Sequence, residues 1–155
     1  MLLVTTVMKI LVDTREKIPW TFASTQSEVE KRKLDTGDYT LEGLEDVLCI
    51  ERKKSVAELA GNVTDGRFTK ELLRISSFKY AFLILEFDYR HIDMFPEGSD
   101  IPKYLKKKVR VKGNFIIKRL SNIAIDYGIH ILPCTNTQYA EHVAYSLMKR
   151  VYERV

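Results

Sequence analysis

Short apolar runs alternate along this chain with longer stretches in which apolar residues return every three or four positions. The two periods separate strands from helices. Residues 9–12, Lys-Ile-Leu-Val, form a brief apolar run that ends at Asp13 and predicts a buried strand. Residues 27–34 alternate weakly, with Val29 the strong apolar position before Leu34, which fits an edge strand. Tyr39 to Leu41 and Val47 to Glu51 predict two strands of one sheet. Tyr80 to Phe87 is the most apolar strand, and Ile129 to Leu132 is another. Thr14-Arg15-Glu16-Lys17 and Pro19-Trp20 mark a loop, under which Trp20 and Phe22 pack, and residues 34–38 mark a turn.

Helical periodicity begins after residue 54. Ser55 and Glu58 have capping-box spacing for a short helix. Phe68, Leu72 and Ile75 share one face of a second helix, which follows Asp65-Gly66. Ile116, Leu120, Ile123, Ala124 and Tyr127 define a third, which stops at Gly128. Thr135 and Gln138 are placed to cap the last helix, which has apolar residues at 140, 143, 144, 147, 148, 151, 152 and 155. That stripe is wide for one sheet face. It suits an ordinary core helix or one that also buries a second surface, such as a homodimer contact. Residues 88–113, with Pro96, Gly98, Pro102 and Gly113, read as a long connection. The order of elements predicts a mixed α/β (α+β) fold, a central mixed β-sheet flanked by α-helices. One domain is expected over 1–155, with 1–7 as an extension outside the core.

Composition narrows the picture. A chain of 155 residues, 45% hydrophobic, suffices for one sizeable core. Charged residues, 30%, are spread along it and argue against long disorder. The net charge of +4 and pI near 9.0 permit a nucleic-acid partner without requiring one. The apolar N-terminus has no positive leading region and is too short to span a membrane. The expectation is therefore an intracellular protein (cytoplasm or nucleoid, or nucleus in a eukaryote). Cys49 and Cys134 lie inside apolar runs, as buried free thiols in a reducing compartment do. Neither has metal-ligand spacing with His91, His130 or His142.

The candidate chemistry lies between Gly37 and Lys53. Asp38 opens one strand, and Glu51 and Lys53 close the next. Side chains two residues apart on a strand leave the same face, so Glu51 and Lys53 share one and Arg52 takes the other. A hairpin between the strands brings Asp38 near Glu51. Two carboxylates and an ammonium in one patch suit a hard divalent cation, Mg²⁺ or Mn²⁺, acting on a phosphate ester. On spacing alone, a salt-bridged strand end is the commoner outcome.

Three motifs in order shift that balance. Asp13-Thr14-Arg15-Glu16 ends the first strand, Gly37-Asp38 leads to Glu51-Arg52-Lys53, and Gly66-Arg67-Phe68 opens the second helix. A fourth run, Leu85-Glu86-Phe87-Asp88, ends the apolar strand. In these the chain resembles the nuclease domain of the XPF-type structure-specific DNA endonucleases, which have a restriction-endonuclease-like core, over roughly residues 8–155. It departs from their pattern at Ala57, where the Glu-Arg-Lys-x-x-x-Asp motif ends in an acid, and at Glu71, where they often have Gln. Larger members add tandem helix-hairpin-helix modules, and this sequence has none.

The resemblance implies metal-dependent hydrolysis of DNA phosphodiesters, leaving a 5′-phosphate and a 3′-hydroxyl, on branched, flapped or single-strand/double-strand junction DNA. Asp38, Glu51 and Asp13 are the expected ligands of Mg²⁺ or Mn²⁺. Asp13, Glu16, Asp38, Glu51 and Lys53 are the expected catalytic groups, with Lys53 orienting water or offsetting developing charge. Arg15, Arg52 and Arg67 are expected at the DNA. Each has a plainer counterpart: Asp13 capping its turn, Arg15 and Glu16 pairing with nearby charges, Arg67 solvated in a first helical turn. Lys103, Lys106, Lys107, Lys108, Arg110, Lys112, Lys118 and Arg119 form a run without an acid between them. It reads as a DNA-backbone contact or as a solvated loop. Two rival functions stay open: a catalytically silent subunit that binds DNA or scaffolds a partner, and a sequence-specific restriction-type enzyme.

Overall fold

A computed structural model describes residues 7–155; of the expected extension over 1–7, residues 1–6 lie outside the described residues. Six strands form one sheet in the order β2-β1-β3-β4-β5-β6. They are β1 (Lys9–Val12), β2 (Glu28–Lys31), β3 (Tyr39–Leu41), β4 (Leu48–Lys53), β5 (Tyr80–Leu85) and β6 (His130–Pro133). β1 pairs parallel with β2 and antiparallel with β3, β3 and β4 form an antiparallel hairpin, and β4, β5 and β6 run parallel. The expected mixed sheet is therefore present, with β2 at its edge. Glu28, Glu30 and Lys31 give β2 a charged rim, as suits an exposed edge.

Helices cover both faces. On one, Cys49, Leu83 and Leu85 pack against α1 (Val56–Val63), α2 (Gly66–Ser76) and α5 (Gly113–Tyr127) through Leu59, Leu72, Ile116 and Ile123. On the other, Ile10, Val12, Tyr39, Ile50 and Ile84 meet Trp20, Phe22 and α6 (Thr137–Arg154) through Ala140, Ala144, Met148 and Val151. Most of the wide α6 stripe is thus used by the sheet. Val143, Leu147 and Tyr152 pack partly buried against the same core, while Val155 stays exposed.

Residues 88–113 are not a plain connection. They hold α3 (Tyr89–Met94) and α4 (Lys103–Lys106), of six and four residues, each too short to set up a readable apolar stripe. Asp88 starts α3 by accepting the Arg90 and His91 amides. The cap of α6 also differs from expectation. Asn136 accepts the Tyr139 amide, and neither Thr135 nor Gln138 serves as the cap. Ser55 caps α1 by accepting the Glu58 amide, as expected, but the Glu58 carboxylate turns to Lys53 and the reciprocal half of the capping box is not made. No helix among the described residues is long and apolar enough to cross a membrane.

Gly113, the first residue of α5, lies against the α3 backbone. A Cβ there would overlap the Ile92 carbonyl oxygen and stand 3.0 Å from Asp93 Cα. Alanine is the better helix former by up to about 1 kcal/mol, but a clash with backbone cannot relax by rotating a side chain. Gly113→Ala is therefore expected to cost about 1–3 kcal/mol, read as a lowered thermal midpoint.

Candidate active site

The β3–β4 hairpin builds the site. Gly37, at φ +83°, makes the turn before β3, and a Cβ there would stand 2.5 Å from Cys49 Sγ. Only glycine suits both the backbone and the space. The Asp38 amide donates to the Ile50 carbonyl, and the Asp38 carbonyl accepts the Asp13 amide, which fixes the backbone on both sides. The Arg52 amide donates to Asp38 Oδ2 at 2.7 Å, holding the carboxylate over the end of β4. Its neighbour there is Glu51, 3% exposed, whose carboxyl lies against that of Asp38.

Period-two alternation on β4 then divides the charges between the faces. Glu51 and Lys53 point to the α1–α2 side and line an open cleft of about 490 Å³ with Asp13, Arg15, Glu16, Asp38, Glu58, Glu71 and Arg74. Lys53 Nζ stands 3.9 Å from both Glu51 Oε2 and Glu58 Oε1, and 5.1 Å from the Phe68 ring centre. Ala57 lines a separate cavity with Phe87, Met94 and Phe95.

Arg52 takes the opposite face, and its expected role at DNA is not what the structure shows. Its side chain, 3% exposed, pairs with Glu86 and Glu16, both at 3.0 Å, and donates to the Ile18 carbonyl at 2.8 Å. The guanidinium lies 4.6 Å from the Trp20 ring centre, and Trp20 stacks on Tyr39. A group so enclosed holds the scaffold.

Asp13 and Glu16 line the cleft but are already engaged. Asp13, 2% exposed, accepts the Leu34 amide on Oδ1 and Arg15 Nε on Oδ2. It clamps its turn from the cleft side, between the Leu34 amide and Arg15. Glu16 Oε2 accepts from the Tyr39 hydroxyl and from Arg52. Arg15 keeps its side chain largely exposed at the rim. Arg67 folds back onto its helix cap Asp65 at 2.8 Å, solvated and outside the cleft lining. Lys106, Lys107, Lys108, Arg110 and Lys112 also lie outside that lining. Lys106 leans toward Glu97 at 3.8 Å, and Tyr104 is exposed. Glu71 and Arg74, one turn apart on α2, are cleft residues that spacing alone did not single out. The departure at Glu71 was the available signal.

The electrostatics mark the acid pair. Burial pushes the Glu51 carboxyl well above its ordinary range, and the Asp38 charge pushes it further. Burial raises Asp38 as well, against the opposing contacts from Glu51 and the Arg52 amide. At Asp13 burial also works against charge, but Arg15 and the Leu34 amide outweigh it and hold that carboxyl low. Burial lifts the Cys49 thiol to about 12, so it is inert. Among the described residues no three His, Cys, Asp or Glu side chains form a ready metal cage. The Asp38–Glu51 pair nonetheless fits Mg²⁺ or Mn²⁺, which need one or two carboxylates and fill the remaining positions with water and phosphate.

The fold matches that of an XPF-type nuclease domain. XPF from Aeropyrum pernix superposes with a TM-score of 0.71 at 21% identity, covering 94% of this chain and 66% of that one. The same protein in complex with DNA gives 0.69 at 20% identity, covering 95% and 66%. The chain thus spans slightly under two thirds of those proteins. The ERCC4 domain model matches residues 12–147, and the chain belongs to the ERCC4 domain family. No curated protein matched the sequence.

A carboxyl with a raised folded-state pKa holds its proton more tightly in the fold than in the unfolded chain. Stability then falls as pH rises above the ordinary carboxyl range, and is intact below it. Glu51→Gln removes that penalty. In EDTA at pH 8 it is expected to raise the thermal midpoint by roughly 3 °C or more, the shift that ~1 kcal/mol makes in a domain of this size. The gain should shrink to nothing toward pH 4; a gain equal at both pH values would contradict the buried-pair account.

Proposed function

We propose that this domain is a divalent-metal-dependent DNA endonuclease acting on branched, flapped or junction DNA. The observation that carries the reading is the buried Asp38–Glu51 carboxyl pair, opening beside Lys53 into a cleft. Membership of the ERCC4 domain family and the fold shared with a protein solved on DNA support it.

Asp38 and Glu51 would hold Mg²⁺ or Mn²⁺. When bound, the ion supplies activation of water and stabilisation of charge on a phosphate oxygen. Lys53 stands beside the pair, kept there by Glu51 and Glu58, and orients the attacking water or offsets charge on the phosphate. The exposed Arg15 guanidinium at the rim grips a phosphate oxygen. Glu16 shapes the cleft wall from its place on Tyr39 and Arg52. The basic run over 103–119 adds sequence-independent contacts to the DNA backbone. A homodimer contact through the outer side of α6 belongs to the same reading.

Incubation with flapped, branched, single-stranded and linear duplex DNA, in Mg²⁺ or in EDTA, tests the proposal. Cutting of the branched substrates should vanish in EDTA and fall at least about a hundredfold in Asp38→Asn, the scale of losing one preorganised charge-stabilising group. DNA binding without cutting in any metal would instead identify a silent subunit. Cutting of one linear sequence alone would identify a restriction-type enzyme. For the basic run, Lys107→Ala/Lys108→Ala/Arg110→Ala should weaken all DNA substrates alike. Its log K against log[salt] slope should become shallower by about 0.9 for each phosphate that is no longer neutralised.

A further inference from the structure

The segment from Ile101 to Lys112 is anchored from one side. Ile101, Val109 and Val111 pack partly buried against the core that α1, α2 and α5 share. The Leu105 amide donates to the Pro102 carbonyl at 2.8 Å and the Lys108 amide to the Leu105 carbonyl at 2.9 Å, which fixes α4 and the bend after it. Lys108, Arg110 and Lys112 alternate with the anchored valines and stay exposed, as do Lys103 and Lys107.

These cations are uncompensated. Elsewhere surface cations meet acids: Lys9 and Arg32 meet Glu30, Arg67 meets Asp65, and Arg90 meets Asp88. Among the described residues Lys103, Lys107, Lys108, Arg110 and Lys112 have no acidic partner, and Lys106 reaches only Glu97, at 3.8 Å. A surface held at one sign attracts a polyanion.

Tyr104 stands among them, next to Lys103 and within one turn of Lys106 and Lys107. It is 72% exposed, more than any other aromatic side chain among the described residues, and there it has neither a hydrogen bond nor a ring contact. A tyrosine that served the fold would lie against the anchors, as Val109 does. The lysines grip the phosphates of any nucleic acid. An exposed ring adds to that only where a base offers its face, and in a duplex those faces are covered by the neighbouring pairs.

We propose that Tyr104 stacks on an unpaired base, so that the 103–112 segment holds a single-stranded arm of DNA. The inference rests on the DNA reading above and deepens it. The basic residues supply affinity for any DNA, and Tyr104 supplies a preference that flapped and branched substrates satisfy and a linear duplex does not.

Binding in EDTA tests this apart from cleavage. The full chain is titrated into a fluorescein-labelled oligothymidine and into a labelled duplex of equal length, with anisotropy as the readout. Wild type should bind both. Tyr104→Ala should bind the oligothymidine about five- to a hundredfold more weakly, the scale of one base–aromatic stack, and the duplex as wild type does. Its log K against log[salt] slope should not change, because no charge is lost. Tyr104→Phe, which keeps the ring, should bind like wild type. Tyr104→Leu, apolar but without a ring, should resemble Tyr104→Ala and stands in for it should that variant fail to fold. Equal weakening of both DNAs, undiminished oligothymidine binding, or loss of binding in Tyr104→Phe overturns the stacking role and leaves cleavage at Asp38–Glu51 to its own assay. Failure of wild type to bind the oligothymidine also overturns it, and failure to bind either DNA overturns the backbone role of the basic run as well.

Discussion

The guanidinium of Arg52 joins segments that are far apart in sequence. It reaches back 36 residues to Glu16 and forward 34 to Glu86, under the face of Trp20. Desolvating three charged groups is expensive, and the gain comes from near-complete satisfaction: two carboxylates, the Ile18 carbonyl and the Tyr39 hydroxyl all receive its protons. Loss of one partner from such a set leaves an uncompensated buried charge, at a cost of about 3–5 kcal/mol. This network ties the loop after β1 to the ends of β4 and β5. The floor of the cleft has a fixed position because of it.

One strand end therefore serves two purposes through alternation alone. Glu51 and Lys53 face the helices that line the cleft, while Arg52, between them, faces the aromatic cluster beneath α6. The two faces share a backbone: the Arg52 amide that donates to Asp38 belongs to the residue whose side chain locks the opposite side. Rigidity on the scaffold face is thus passed directly to the carboxylate on the reactive face.

The strands and the four longer helices were legible because each repeats its period often enough to show. The Asp38–Glu51 meeting was legible for a related reason, since a hairpin register follows from two strands and a turn. α3 and α4 were not, because six and four residues complete no stripe. The direction of Arg52 could be read from the pleat, but its role depends on partners more than thirty residues away. The same holds for Asp13, whose occupation by the Leu34 amide depends on a loop 21 residues on. Glu71 stood out only as a departure from the family pattern, because its place in the cleft depends on how α2 docks, which helix periodicity does not specify.

Trp20 is the only tryptophan in the chain. It is 3% exposed, stacked on Tyr39, under the Arg52 guanidinium and donating its indole N–H to Glu86. Fluorescence excited at the long-wavelength edge of the indole band, where tyrosine no longer absorbs, therefore originates at the scaffold beneath the cleft. Its wavelength and quenching follow the packing of that one spot, so the protein carries its own optical reporter of whether the reactive face is properly supported.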